Sequence, residues 1–452
     1  MSDGLTKKYG LATAIAMVVG IVIGSGVFFK AEKILTATGG NLPLGILAWV
    51  IGGVIMIACA YTFSLMASRY ERVNGIVDYA EAAMGKGYGY YVGWFMAIIY
   101  YPTLTSVLAW VSARYTAVLF GWSITGGECM TIAAFYLVAS YTLNALSPIL
   151  AGKFQVSSTV IKLVPLALMA VVGTVFGLSN GMIVRNFTTV LEHVDTATAL
   201  FTAVVATSFA YEGWIIATSI NSELKNSKKN LPIALVAGTF IVMLTYILYY
   251  IGLSGAVANE TLMAGGQEGA RLAFSTLFST LGGTLVFVFV IISCLGTLNG
   301  LMLGCTRGVY SIAVRNRGPR PALFSQVDPV TNMPTNSAIL GLFLSGVWLL
   351  FFYGANLTRP WFGFFCFDSS ELPIVTIYAM YIPIFVMFMK RESDLPTFKR
   401  FVMPVMALAG SLFMIVAACF AHRMAVVAYL IIFAAVMVLG VVFSREKPTI
   451  VT

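Results

Sequence analysis

Two stretches decide how this chain folds: Ile23-Gly24-Ser25-Gly26-Val27 and Ser208-Phe209-Ala210-Tyr211-Glu212-Gly213-Trp214. Each interrupts an apolar run long enough to be a membrane helix. Backbone freed at bilayer depth has no water to bond with, so it is tolerated only where it is buried in protein or lines a cavity. Two such breaks, opening the two halves of a hydrophobic chain, point to a transporter whose binding site lies near the membrane midplane.

Composition agrees. Of 452 residues 59% are hydrophobic and 10% charged, with a mean hydropathy of +0.90. A soluble chain carries about 25% charged residues, so the membrane class is nearly forced. A net charge of +9 suggests nucleic acid, but the cations sit in short loops on one side, which is a topology signal and argues for no nucleic-acid partner. The six cysteines show no paired or metal-ligand spacing and read as small buried hydrophobes. No metal and no cofactor is expected. The apolar run from Leu11 onward is long and is succeeded by further spans, so it reads as a retained helix rather than a cleaved signal.

A bilayer core takes about 20 apolar residues per helix. The sequence predicts twelve spans, at approximately 10–31, 42–68, 88–120, 128–148, 154–178, 197–221, 231–255, 272–314, 335–354, 361–389, 400–421 and 423–443. The eighth exceeds one crossing and is expected to continue as a helix beyond the membrane. Loops on the side of the termini hold 18 Lys and Arg residues and the opposite loops 7. The positive-inside rule then puts both termini in the cytoplasm of a protein of the inner (plasma) membrane. The expected organisation is one transmembrane domain over 1–452, with repeats at approximately 10–178 and 197–390 and extra helices at 400–443. Five crossings per repeat would make the repeats inverted.

Gly24 and Gly26 can take dihedrals denied to other residues and leave room for a ligand. Ending one half-helix and starting another exposes unpaired N–H groups at a positive dipole end. That is a carboxylate receptor, to which Ser25 adds a hydroxyl. The alternative is close helix packing at small residues, and the matching break in span 6 tips the reading toward a site. There, Glu212 is a carboxyl group at membrane depth, a functional candidate by default. It is suited to binding a substrate ammonium, carrying a proton, or pairing with a basic group. Carbonyls freed at the end of the first half-helix suit an α-ammonium. Phe209 is a lid over the site or simply core. Lys162 lies too deep in span 5 to snorkel. Its ammonium either faces carbonyls freed at the span 1 break, doing the work of a bound sodium ion, or belongs to a structural ion pair. Arg307 reads as interfacial, and Asp368 and Glu371 as a solvated start of span 10.

Ile23-Gly24-Ser25-Gly26-Val27-Phe28 resembles the first-helix signature of the amino acid–polyamine–organocation superfamily, and Phe209 to Trp214 its sixth-helix motif. The stretch Ser222 to Pro232 is similar to that superfamily's segment after helix six, and Asn299-Gly300 with Arg307 and Tyr310 resembles its eighth helix. Lys162 matches the helix-five lysine of the L-type amino acid transporter (LAT) branch and its bacterial relatives. The resemblance implies an all-α integral membrane protein with the LeuT-type 5+5 inverted repeat, twelve helices, and helices 1 and 6 broken. It implies sodium-independent L-amino acid transport by alternating access, often as exchange. By position, Ile23, Gly24, Ser25 and Gly26 would bind the α-carboxylate. Phe209, Ala210, Tyr211 and Glu212 would frame the α-amine, with Phe209 as gate. Lys162 would stand where sodium sits, and Asn299 would be accessory. Glu212 and the segment Asp368-Ser369-Ser370-Glu371 depart from the family pattern and bear on the substrate, which is expected to be a neutral L-amino acid, with polar or cationic ones open. Some animal LAT relatives pair with a single-span glycoprotein; this compact chain is expected to need no obligatory protein partner beyond the lipid bilayer.

The nearest rival is a proton-coupled amino acid symporter in which Glu212 or Lys162 titrates, and a remoter one is a non-transporting amino acid sensor. A membrane-bound enzyme finds little support, since the two histidines, His193 and His422, sit in external positions without a nucleophile motif. A channel lacks a repeated filter or charge ring.

Overall fold

The computed structural model describes residues 10–70, 75–217, 224–331, 333–357 and 359–445. The described residues hold no strand and are built from helices. We label the principal ones α1 Leu11–Val22, α2 Gly26–Ala37 and α3 Leu42–Arg69. After these come α4 Lys86–Phe120, α5 Gly127–Leu146 and α6 Leu150–Ser179. Next are α7 Thr196–Ala210, α8 Trp214–Ala217, α9 Ser227–Ala256, α10 Gln267–Ala313, α11 Thr335–Ala355 and α12 Leu372–Arg391. The chain closes with α13 Phe398–His422 and α14 Met424–Val442.

Among the described residues, ten helices are long and apolar enough to cross a membrane. Spans 1 and 6 are the exceptions. α1 has 12 residues and α7 has 15, which at 1.5 Å each is about 18 and 22 Å, short of the ~30 Å hydrocarbon core. They are half-crossings because the chain leaves the helix at each quoted stretch.

Local chemistry sets the helix starts. Asn41 caps α3 by accepting from the Leu44 N–H at 3.0 Å, with Pro43 in the first turn. Asp195 caps α7 by accepting from the Thr198 N–H at 2.8 Å, and that bond holds its carboxyl below the ordinary range.

The spans differ from the sequence reading in two places. Span 8 is not one rod. α10 departs from helical dihedrals at Phe278 and Ser279, the latter at φ 61°, so a bend divides the run. Span 10 begins as a helix at Leu372 rather than near 361. The Asp368 carboxylate accepts from the Ser370 N–H at 2.8 Å, and such local side-chain bonds compete with helix. Glu371 corrects the solvated reading. It is 1% exposed, with Oε2 2.9 Å from Nε2 of His422. A buried carboxylate needs such a partner to offset lost hydration.

The chain forms two compact units. One comprises Met1–Tyr79, Thr159–Ser293 and Val375–Ala421; the other Ala80–Ser158, Cys294–Ile374 and His422–Thr452. In the first, α9 packs on α3 and α1, and α7 packs on α2. Its tightest seam joins α6 to α9. A Cβ on Gly252 would lie 2.0 Å from the Met169 carbonyl oxygen, and one on Gly255 2.3 Å from that of Gly173. Only residues without side chains let two helix backbones meet so closely. In the second unit, α4 packs on α5 and α11. There Asn299 is held by Asn144, whose Nδ2 donates to its Oδ1 at 2.9 Å, while Asn299 Nδ2 donates to the Ala151 carbonyl at 3.2 Å. Cys59, Cys129, Cys294 and Cys305 are buried, Cys366 is partly so, and Cys419 is exposed.

Candidate functional site

The two quoted stretches meet in the first unit. α1 closes with the Ile23 N–H on the Val19 carbonyl at 2.9 Å, after which Ile23 turns to extended dihedrals (φ −66°, ψ 110°). Gly24 and Ser25 bend the chain, and α2 restarts at Gly26. α7 closes with the Tyr211 N–H on the Thr207 carbonyl at 3.0 Å. The chain then turns through Gly213 at φ 106°, a left-handed value that favours glycine. The breaks touch: a Cβ on Gly26 would sit 2.3 Å from the Ala210 Cα.

Breaking a helix orphans carbonyls on one side and N–H groups on the other. Two carbonyls of α1 are claimed by side chains from elsewhere. Lys162, wholly buried on α6, places Nζ 2.5 Å from the Gly20 carbonyl oxygen. Gly20 itself lies against Thr159, one turn before that lysine; a Cβ there would be 2.3 Å from the Thr159 methyl. Tyr246, wholly buried on α9, puts its hydroxyl 3.2 Å from the Val22 carbonyl oxygen and 3.1 Å from that of Ala210. One hydroxyl therefore bridges both breaks.

The remaining candidates sit in different environments. Ser25 is fully buried, and its Oγ has no hydrogen-bond partner among the described residues. Phe209 is 8% exposed and meets Phe29 edge-on at 6.0 Å. Tyr211 points into the packing. Its hydroxyl donates to the Trp49 carbonyl at 2.9 Å, and its ring stacks on Tyr246 at 5.3 Å. Glu212 is half-buried and within electrostatic reach of Tyr378 and Cys59. Ile23, Gly24, Ser25, Gly26, Lys162, Phe209, Ala210, Tyr211 and Glu212 thus share one unit, while Asn299 belongs to the other and is engaged there.

Two residues escape the sequence reading. Tyr246 sits in Thr245-Tyr246-Ile247-Leu248-Tyr249-Tyr250. Three phenols within five positions of an apolar span are the signal, since a buried tyrosine needs a partner for its hydroxyl. Lys30 counts in sequence among the external loop cations. It is wholly buried, with Nζ 5.1 and 5.2 Å from the ring centres of Phe29 and Phe209, within cation–π range.

Apolar helices of crossing length, with two half-helix breaks in contact and their carbonyls facing buried cationic and hydroxyl donors, define a multi-pass membrane protein of the broken-helix transporter class. A family model for amino acid permeases matches residues 9–443. The chain belongs to that family, within the amino acid–polyamine–organocation superfamily, and is related to its LAT branch. It is 30% identical over 423 residues to the serine/threonine exchanger SteT of Bacillus subtilis, covering 91% of each chain. It is 26% identical over 404 residues to mouse b(0,+)-type amino acid transporter 1, covering 85% of this chain and 81% of that one. It is 28% identical over 368 residues to the aspartate-proton symporter of Bacillus subtilis, covering 77% and 68%.

Proposed function

We propose that this protein is a sodium-independent L-amino acid exchanger working by alternating access. The frame is a LeuT-type pair of inverted repeats, with α1–α2 and α7–α8 as its broken first and sixth helices. N–H groups at the start of α2 and the Ser25 hydroxyl receive the α-carboxylate, where the helix dipole favours an anion. Carbonyls at the end of α7, from Phe209 onward, receive the α-ammonium, and Phe209 is the gate. The relatives named above as amino acid transporters support the substrate class. A neutral side chain is the first reading, with polar and cationic ones next. The protein lies in the inner (plasma) membrane with both termini cytoplasmic, and it works without an obligatory protein partner.

The observation that carries sodium independence is the Lys162 ammonium on the Gly20 carbonyl. A cation fixed covalently to α6 supplies the positive charge that a bound sodium ion would bring, and it cannot dissociate with the substrate. The test is counterflow in proteoliposomes. Uptake that requires internal amino acid, ignores sodium and ignores a pH gradient supports exchange. Accumulation driven by sodium or by protons alone overturns it.

A second reading, proton symport, draws on Glu212, a half-buried carboxyl beside Tyr378. Glu212→Gln separates the two. Under exchange, counterflow survives the substitution with its pH profile unchanged, whereas under symport the pH dependence disappears.

A further inference from the structure

A cavity in the first unit lies away from the breaks. It is about 1310 Å³ and is walled by α3, α9 and the turn from α12 into α13; no residue of either break lines it. Its walls change character along their length. α3 contributes Ile57, Tyr61 and Leu65, four residues apart and therefore on one face. α9 contributes Ile233, Val236 and Phe240, of which Ile233 is 41% and Phe240 51% exposed. At one end these apolar faces give way to a rim of Arg69, Lys228, Lys229 and Lys399, with Glu392 and Asp394.

The rim charges are not equivalent. Arg69 is committed to both carboxylates, pairing with Glu392 and with Asp394. Its hydrogen bond also holds the Asp394 carboxyl below the ordinary range. Among the described residues, Lys228, Lys229 and Lys399 form no ion pair, and all three are exposed. Three cations therefore face the groove mouth with both acids of the rim, Glu392 and Asp394, already paired. The dimensions fit a bilayer leaflet. Lys228 to Phe240 is about 18 Å of helix rise, slightly more than half of the ~30 Å hydrocarbon thickness. The groove thus runs from headgroup level nearly to the midplane.

We propose that this groove is a binding site for one phospholipid with an anionic headgroup. The phosphate region would sit between Lys228, Lys229 and Lys399, and an acyl chain would lie along Ile57, Ile233, Val236 and Phe240. Basic pockets at the end of membrane helices select anionic lipids because their charge adds to chain burial. The site joins α3 and α9, which pack on each other in the unit that holds the breaks, so occupancy stabilises that unit.

The test uses the purified full chain, delipidated in detergent and titrated with phosphatidylglycerol or phosphatidylcholine. Bound lipid is read by native mass spectrometry and stability by thermal shift. Phosphatidylglycerol should bind and raise Tm, and phosphatidylcholine should do neither. The triple variant Lys228→Gln, Lys229→Gln, Lys399→Gln should bind phosphatidylglycerol more weakly by on the order of a hundredfold. A control variant at two exposed cations elsewhere, Lys153→Gln with Arg320→Gln, should match the parent. Val236→Trp, which fills the groove and leaves the rim intact, should lose the lipid as well. Equal binding by the parent and the triple variant overturns the proposal. So does unaltered binding by Val236→Trp, or stabilisation by glycerol phosphate alone to the same degree, which would mark a free-anion site.

Discussion

The two breaks look alike in sequence and are held in opposite ways. The first is tied down from outside: Lys162 on α6 takes the Gly20 carbonyl, and Tyr246 on α9 takes that of Val22. The second is held mainly by how its own side chains pack. Tyr211 anchors to Trp49, Gly213 supplies the turn, and among the described residues the Ala210 carbonyl reaches an outside hydroxyl. A break whose carbonyls are already paired is a fixed wall. One whose carbonyls are less tightly claimed leaves room for a ligand to compete, which supports the proposed seat of the substrate's ammonium end at the second break.

Substitutions can break this comparison, and the largest effect is expected at the contact itself. Gly26→Val puts a side chain where Ala210 already lies. It should reduce substrate uptake by on the order of a hundredfold with membrane insertion intact by protease protection, and unchanged uptake would remove the first break from the site. Lys162→Ala strips the first break of its outside cation and leaves a buried carbonyl unpaired, at about 1 to 3 kcal/mol. Flux per folded molecule should fall about tenfold or more, read as initial uptake normalised to monodisperse protein; surviving flux would make the lysine structural. Tyr246→Phe touches both breaks but removes only one neutral hydrogen bond, about 1 kcal/mol. KM should rise about fivefold with little loss of expression. The smallest effect belongs to Asp195, far from either break at the start of α7. Asp195→Ala should lower Tm slightly at neutral pH without changing KM. Because its carboxyl is depressed in the folded protein, that contribution is present above the ordinary carboxyl range and is lost as pH falls through the lowered value. The Tm difference between parent and variant should therefore vanish in acid.

The breaks are legible because glycine, serine and glutamate in apolar runs violate the chemistry of a membrane helix, and a violation is visible in one dimension. Lys162 is visible for the same reason. Tyr246 and Lys30 are not, for they are ordinary at their positions until the fold brings Val22, Ala210 and Phe209 against them. The start of span 10 fails differently. The aromatic stretch Trp361 to Phe367 is as apolar as a helix, but Asp368 and Ser370 bond to one another and hold the entry turn. Glu371 reads as solvated in sequence because its partner, His422, lies 51 residues away.

The glycine seam between α6 and α9 has a mechanical consequence. With Gly252 against Met169 and Gly255 against Gly173, neither helix can slide or roll on the other without backbone colliding with backbone. The two side chains that grip the first break, Lys162 and Tyr246, are mounted one on each of these helices. They are carried on a common strut, so a movement of α1 away from that strut strains both holds together.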